Sequence, residues 1–460
     1  MNENRQAASP HNEQAQSSSR IVGIWSGMVE FGDTQLPVVL RIDNRDSALT
    51  ATIEFPLHKQ ALVASALNDV SFDHHVFRFH TRSFGSYEGH MSADGLRIVG
   101  ALTNYEKRHG LTLTSGEIEL AEPVRPQTPK PPFGYSIEHV RVDNPNADGI
   151  LAGTLTMPTD RKPRAAAVLI TGSGGLDRDE TVFGHKPFWV LADHLSRCGY
   201  ALLRLDDRGL GESTGIRVGM TSADSAGDMS VAVNYLQRRV DLQDIAVGLI
   251  GHSEGGLIAP MLAAQRADIA FVVSMAGPGI TLGEVMAERE CLALTGSGAS
   301  QDTVIWHGQF ARALFRQLGE MPVREMIDAA QVAAIAARFG AAETAIKNAS
   351  DVWLRAYNLP WFRYAFRHDP AESLKRMKAP FLAINGSLDA QVPVKSNLRA
   401  MAQILAAAGH PDFEIVELPG LNHMFRTCST GEEFKYPMIE ETFAPLALDT
   451  ISAWLDARFE

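Results

Sequence analysis

Cysteine is scarce: Cys198, Cys291 and Cys428 are the only three in 460 residues, with no paired spacing and no CxxC. That excludes a disulfide framework and a zinc-ribbon site and suits a reducing compartment. Cys428 reads as a small buried hydrophobe. Long apolar runs are also missing. No stretch approaches the ~20 residues that span a bilayer, so no membrane partner is expected. Residues 1–19 are polar, lack the apolar segment of a signal peptide, and read as a disordered tail. Positive charge is in the minority, with 42 Lys+Arg against 54 Asp+Glu, a formal net charge of -12 and no basic stripe. Such a surface repels phosphate backbones, which argues against nucleic acid as a partner. The expectation is a soluble chain, cytoplasmic by default. Its 45% apolar and 21% charged residues are enough to fill more than one core.

Two textures divide the sequence. From residue 20 to 121, short alternating runs such as LPVVLRID, ALTATIEF and LRIVGALT are separated by turn signals such as DNRDS and ADG. That spacing predicts a small antiparallel all-β domain, a sandwich or barrel. Residues 122–134, with EPVRPQTPKPPFG at their heart, are proline-rich and read as a linker. Residues 135–460 alternate strands with helices. AAAVLIT, YALLRLD, IAVGLIG, IAFVVSMA, PFLAING and FEIVELP are near-continuous apolar runs, as expected of parallel strands covered on both faces. Between them lie helical patterns, for example Ala226, Met229, Val233 and Leu236 at three- and four-residue spacing. This rhythm predicts a doubly wound α/β sheet. Residues from about 280 to 372 are helical in pattern with no strand, which predicts a cap above the sheet.

The chemistry concentrates in IAVGLIGHSEGG. A buried strand runs into Gly251, Ser253 and Gly255, and a helix follows. A serine on so sharp a turn needs small neighbours, and the turn lifts its hydroxyl clear of the sheet. A serine hydroxyl is a weak nucleophile and needs a base held by a carboxylate. Asp389, after PFLAING, and His423, after FEIVELP, follow in the order Ser, acid, His. An oxyanion hole is expected from the backbone N–H of Glu254 and that of Ser173 in the glycine loop 172–175, with Gly174 as the rival. The loop is a poor phosphate cradle, because it lacks GxxxxGK[ST] and is followed by Asp177, Asp179 and Glu180. His252 is expected to pack beneath the nucleophile. Asp207 and Arg208 are expected to form a buried ion pair in a structural turn. VWLRAYNLPWFRYAFRHDP is read either as a cover over the acyl pocket or as ordinary cap packing.

TGSGGLDRDE, LDDRGLGES, GHSEGG, WFRYAFRHDP, INGSLDAQVP and LPGLNHMF, in this order, resemble the α/β-hydrolase superfamily, and more narrowly bacterial serine carboxylesterases in which a β domain precedes a capped hydrolase domain. The resemblance covers residues 135–460 well and the β domain more loosely. It implies an α/β-hydrolase fold with a helical cap and a cofactor-free, metal-free esterase acting through Ser253, Asp389 and His423 on a small-molecule acyl ester. Relatives of this architecture are often exported, whereas no leader is read here. Thioester hydrolysis, acyl transfer or cyclisation through the same triad is the alternative, and a non-catalytic binding scaffold a third reading. The strand edges of the β domain leave a homo-oligomer open as a partner.

Overall fold

The computed structural model describes residues 20–31, 34–45, 48–58, 65–81, 85–104, 107–120, 123–322, 325–340 and 351–459. The tail expected at 1–19 lies outside the described residues. Two compact units divide the chain: residues up to 124 with 294–300 and 433–438, and the remainder from Arg125 onward.

The first unit is one antiparallel sheet of nine strands: β1 (Gly23–Phe31), β2 (Thr34–Arg45), β3 (Ala48–Glu54), β4 (Ser65–Ala66), β5 (Asn68–Asp73), β6 (Val76–Thr81), β7 (Gly85–Met91), β8 (Arg97–Asn104) and β9 (Lys107–Ser115). Their order is β4-β3-β2-β1-β9-β8-β7-β6-β5. β4 and β5, at opposite ends of that order, are separated in the chain by Leu67 alone, whose N–H continues the β3–β4 ladder to Ala51 O at 2.8 Å, so the two ends of the sheet meet. The sheet therefore closes as a barrel, which a single continuous sheet does to bury its edges. Alternate residues point inward: Tyr87, Gly89 and Met91 of β7 are buried while their neighbours are not. Trp25, Leu40, Ile53, Phe77 and Leu113 fill the core. Phe434, far along the chain, packs against the same core.

The second unit begins inside the proline-rich stretch. Arg125 donates to Phe183 O at 2.8 Å, and Gln127 donates to Phe443 O at 2.8 Å. From Arg125 on, the segment is thus pinned to its own unit rather than free. Eight strands follow: β10 (Tyr135–Asn144), β11 (Gly149–Pro158), β12 (Ala166–Ile170), β13 (Ala201–Leu205), β14 (Val247–His252), β15 (Val272–Met275), β16 (Phe381–Gly386) and β17 (Phe413–Leu418). Their order is β10-β11-β13-β12-β14-β15-β16-β17. β10 and β11 form an antiparallel hairpin, β11 is antiparallel to β13, and the remaining neighbours are parallel. The parallel sheet is covered on both faces. In β12, Ala166, Val168 and Ile170 join one core with the helices Ser222–Arg238, Glu254–Ala263 and Val394–Ala407. Ala165, Ala167 and Leu169 face the other, with helices Pro187–Arg197 and Pro445–Asp456. All four residues spaced along Ser222–Arg238 in the sequence are buried, and Thr221 caps that helix with Asp224 in a capping box.

Between β15 and β16 the described residues form helices only: Leu282–Gly296, Gln301–Glu320, Ala329–Ala337, Asp351–Tyr357, Pro360–Ala365 and Pro370–Arg376. Ala311, Phe315, Leu318, Ile335 and Phe366 give several of them a core of their own.

β12 lies between β13 and β14, so the chain leaves it in one direction and later returns on the other side. That reversal opens a crevice at the carboxyl ends of β12 and β14, where open α/β sheets bind ligands.

Candidate active site

Ile170 of β12 pairs with Gly251 of β14, so the two loops beyond these strands start at the same level. The second carries Ser253, held at φ +56° and ψ −118° as it enters helix Glu254–Ala263. A serine with positive φ is strained and persists only where its surroundings impose the turn. They do so through close backbone packing. A Cβ on Gly251 would collide with the carbonyl of Gly255, and one on Gly255 with that of Ile170. Ser253 N–H is fixed by Met275 O at 2.8 Å.

The structure brings Ser253, Asp389 and His423 together. His423 Nε2 lies 3.0 Å from Ser253 Oγ, and His423 Nδ1 lies 2.8 Å from Asp389 Oδ2. Asp389 follows β16 in a tight turn, its N–H donating to Gly386 O at 3.0 Å. Its other oxygen, Oδ1, accepts from the N–H groups of Gln391 and Val392 at 2.8 and 2.9 Å. His423 follows β17. The preceding residue, Asn422, is fully buried and folds the loop by accepting from Met424 and Arg426 N–H. Leu388 N–H donates to Leu421 O at 2.9 Å, and Ser387 Oγ accepts from Gly420 N–H at 2.9 Å, so the acid and imidazole loops brace one another. Asp389 and His423 are 5% and 3% exposed, which shields their hydrogen bond from water. A chain of this kind can draw the proton from Oγ onto Nε2 while the carboxylate supports the resulting imidazolium.

The loop after β12 comes against this group, with Gly172 beside Ser253. Gly172 N–H is spent on Glu180 Oε1 at 2.8 Å. The N–H groups of Ser173, Gly174 and Glu254 have no partner among the described residues, and Glu254 stands first in its helix, where none is offered. No group of three or more His, Cys, Asp or Glu among the described residues could hold a metal ion.

Comparison with known proteins finds partial matches. The family described as Serine aminopeptidase, S33, matches residues 187–315. Esterase EstD of Thermotoga maritima is 28% identical over 275 residues, or 60% of this chain. The match spans 58% of that relative's length. Among solved structures, Est1E from Butyrivibrio proteoclasticus with bound ferulic acid is 16% identical, with a TM-score of 0.42, over 69% of this chain and 98% of its own. The Pyrococcus furiosus esterase Pf2001 is 16% identical, with a TM-score of 0.41, over 65% and 90%. The second unit has the α/β-hydrolase fold.

Several contacts around the crevice were not read from the sequence. Asp207 does not pair with Arg208. Its Oδ1 accepts from the Thr171 hydroxyl at 2.8 Å and its Oδ2 from Leu176 N–H at 2.9 Å, so it clamps both ends of the glycine loop. Burial pushes its carboxyl up to about 6, against the pull of those donors. Arg208 pairs instead with Asp228 of the helix Ser222–Arg238. Sequence adjacency misleads here because successive residues after a strand point to opposite sides. From the aromatic cap stretch, Trp361 reaches the elbow: its indole N–H donates to Glu254 Oε1 at 2.7 Å, and the Ser222 hydroxyl donates to the same oxygen at 2.6 Å. Burial raises the Glu254 carboxyl above the ordinary range. Phe366, by contrast, stacks on Phe315 within the cap core. Cys428 is half-buried. His252 does pack beneath the elbow, and its partner is Glu180.

Proposed function

We propose that this α/β-hydrolase is a carboxylic ester hydrolase working through an acyl-serine intermediate. The observation that carries the reading is the unbroken chain Ser253 Oγ to His423 Nε2 at 3.0 Å and His423 Nδ1 to Asp389 Oδ2 at 2.8 Å. It lies at the crevice between β12 and β14, beside N–H groups that have no partner among the described residues. Ser253 attacks the ester carbonyl as His423 takes its proton. The Glu254 and Ser173 N–H groups, with Gly174 as the rival to Ser173, hold the oxygen that becomes negative. His423 returns the proton to the departing alcohol, and water then releases the acid by the same steps. The family and EstD matches support ester hydrolysis at the level of class. In Ser253→Ala, turnover of a short-chain p-nitrophenyl ester is expected to fall to the level of buffer, with the far-UV circular dichroism of the parent. Retained turnover in that variant would remove Ser253 from the mechanism.

A further inference from the structure

Behind the candidate triad lies a second imidazole–carboxylate pair. Glu180 and His252 are 2% and 4% exposed. Glu180 stands on the returning leg of the glycine loop at φ +53°, a conformation that turns its side chain back under the loop's start. One of its oxygens, Oε1, accepts from Gly172 N–H at 2.8 Å and faces His252 Nδ1 at 3.0 Å. The opposite ring atom, His252 Nε2, lies 2.9 Å from the carbonyl oxygen of His423.

The donor inventory fixes the proton on Nε2, and the acids around the ring account for the one on Nδ1. A carbonyl oxygen only accepts, so Nε2 of His252 carries a hydrogen. Glu180 Oε1 already accepts from a backbone amide, and as a carboxylate it accepts from Nδ1–H as well. With both ring nitrogens protonated, His252 is an imidazolium, and its charge answers that of Glu180 in a site closed to water. Around that ring, Glu180 and the more distant Asp389 are the acids that favour its charge. The His423 ring lies 4.9 Å away, centre to centre, and Phe425 closes another side. Burial alone would strip the proton from His252, but the neighbouring acids hold its affinity above the ordinary imidazole value.

These contacts join three loops that are far apart in sequence: the glycine loop through Gly172, the elbow through His252, and the base loop through the main chain of His423. We propose that Glu180 and His252 form a buried carboxylate–imidazolium pair that positions the triad, holding the Gly172–Ser173 backbone and His423 in register with Ser253. They are positioning residues and touch no reacting atom. The proposal rests on the ester-hydrolase reading for its kinetic consequence. Its protonation consequence stands apart from turnover.

Two measurements on the full chain test it. In Glu180→Gln, Ser253 is titrated with a fluorophosphonate and kcat is expressed per labelled site. Loss of the counter-charge lets His252 relax, so kcat per labelled site should drop roughly tenfold to a hundredfold, the scale of one charge-assisted hydrogen bond, with KM within about twofold. If only the number of labelled sites falls while kcat per site stays at the parent value, the pair is merely structural and the proposal fails. Should that variant not fold, nitrogen NMR of the unsubstituted chain, labelled at histidine and assigned by through-bond correlation, decides the matter. His252 is expected to carry protons on both ring nitrogens at pH 8, and a neutral ring there would overturn the pair. Full turnover in Ser253→Ala would sink the nucleophile assignment and leave this NMR result untouched.

Discussion

Replacing Asp389 with asparagine keeps the size of the side chain and removes one acceptor. Its outcome is dictated by the two backbone donors on Oδ1. The N–H groups of Gln391 and Val392, at 2.8 and 2.9 Å, keep the amide oxygen of the asparagine where Oδ1 now lies. Turning the amide over would set its NH2 against both donors and leave two backbone groups unsatisfied, at about 1–3 kcal/mol each. The NH2 therefore faces His423 Nδ1, now 2.8 Å from Asp389 Oδ2, and that nitrogen must be the unprotonated one. The proton then sits on Nε2, 3.0 Å from Ser253 Oγ, where the imidazole can donate but not accept. Returning to the productive tautomer costs about 2–6 kcal/mol by this count, and the imidazolium also loses its counter-charge. A fall in kcat of about 10³- to 10⁴-fold is expected, measured by stopped or continuous release of p-nitrophenolate from a short-chain ester, with KM little changed. A loss below about tenfold, in a protein with parental circular dichroism, would refute the claim that Asp389 sets the tautomer of His423.

Further expectations concern the frame of the site. Asp207, whose carboxyl rises from 3.8 to about 6 on folding, binds its proton more tightly in the native than in the unfolded chain, so its contribution to stability falls as pH rises from about 4 to about 6 and is level above that. Relative to Asp207→Asn, the parent should lose up to about 3 kcal/mol across that window in urea unfolding, and parallel pH profiles for the two proteins would contradict it. Gly255→Ala puts a methyl group into the Ile170 carbonyl, and a loss of at least about 2–3 kcal/mol with a melting temperature several degrees lower is expected in calorimetry. An unchanged melting temperature would mean that β12 and the elbow do not approach so closely.

How far the sequence disclosed these features depended on whether a signal was local. β12 to β17 were legible because each is a short apolar run covered on both faces, apart from β17, which is a half-exposed edge strand. β10 and β11 were not read, since the edge strand β10 alternates buried and exposed residues and resembles the barrel strands before it. The convergence of Ser253, Asp389 and His423 was readable because each sits just beyond its own strand. Glu180 carried no such mark: it stands in a run with Asp177 and Asp179 that looks like a solvated acidic turn. Asp179 is buried too, against Arg204, and the positive φ at Glu180 is a conformation that no residue type announces. The contact between Trp361 and Glu254 was hidden for a different reason, because 107 residues separate the pair and indole is equally suited to a cap core. The choice between sandwich and barrel turned on β4 and β5, the two ends of the sheet, meeting through Leu67, a tertiary fact.

Adjacent parallel strands cannot be joined by a tight turn and require a crossover in any case. The helices between β15 and β16 occupy that obligatory connection in enlarged form, and they leave and re-enter the sheet at Ala276 and Pro380. Ser253 is anchored to β15 at Met275, and Asp389 to the end of β16, so neither depends for its backbone on what the connection contains. The cap is thus an exchangeable cartridge. Its helices can be rewritten while the backbone anchors of Ser253 and Asp389 stay with the sheet.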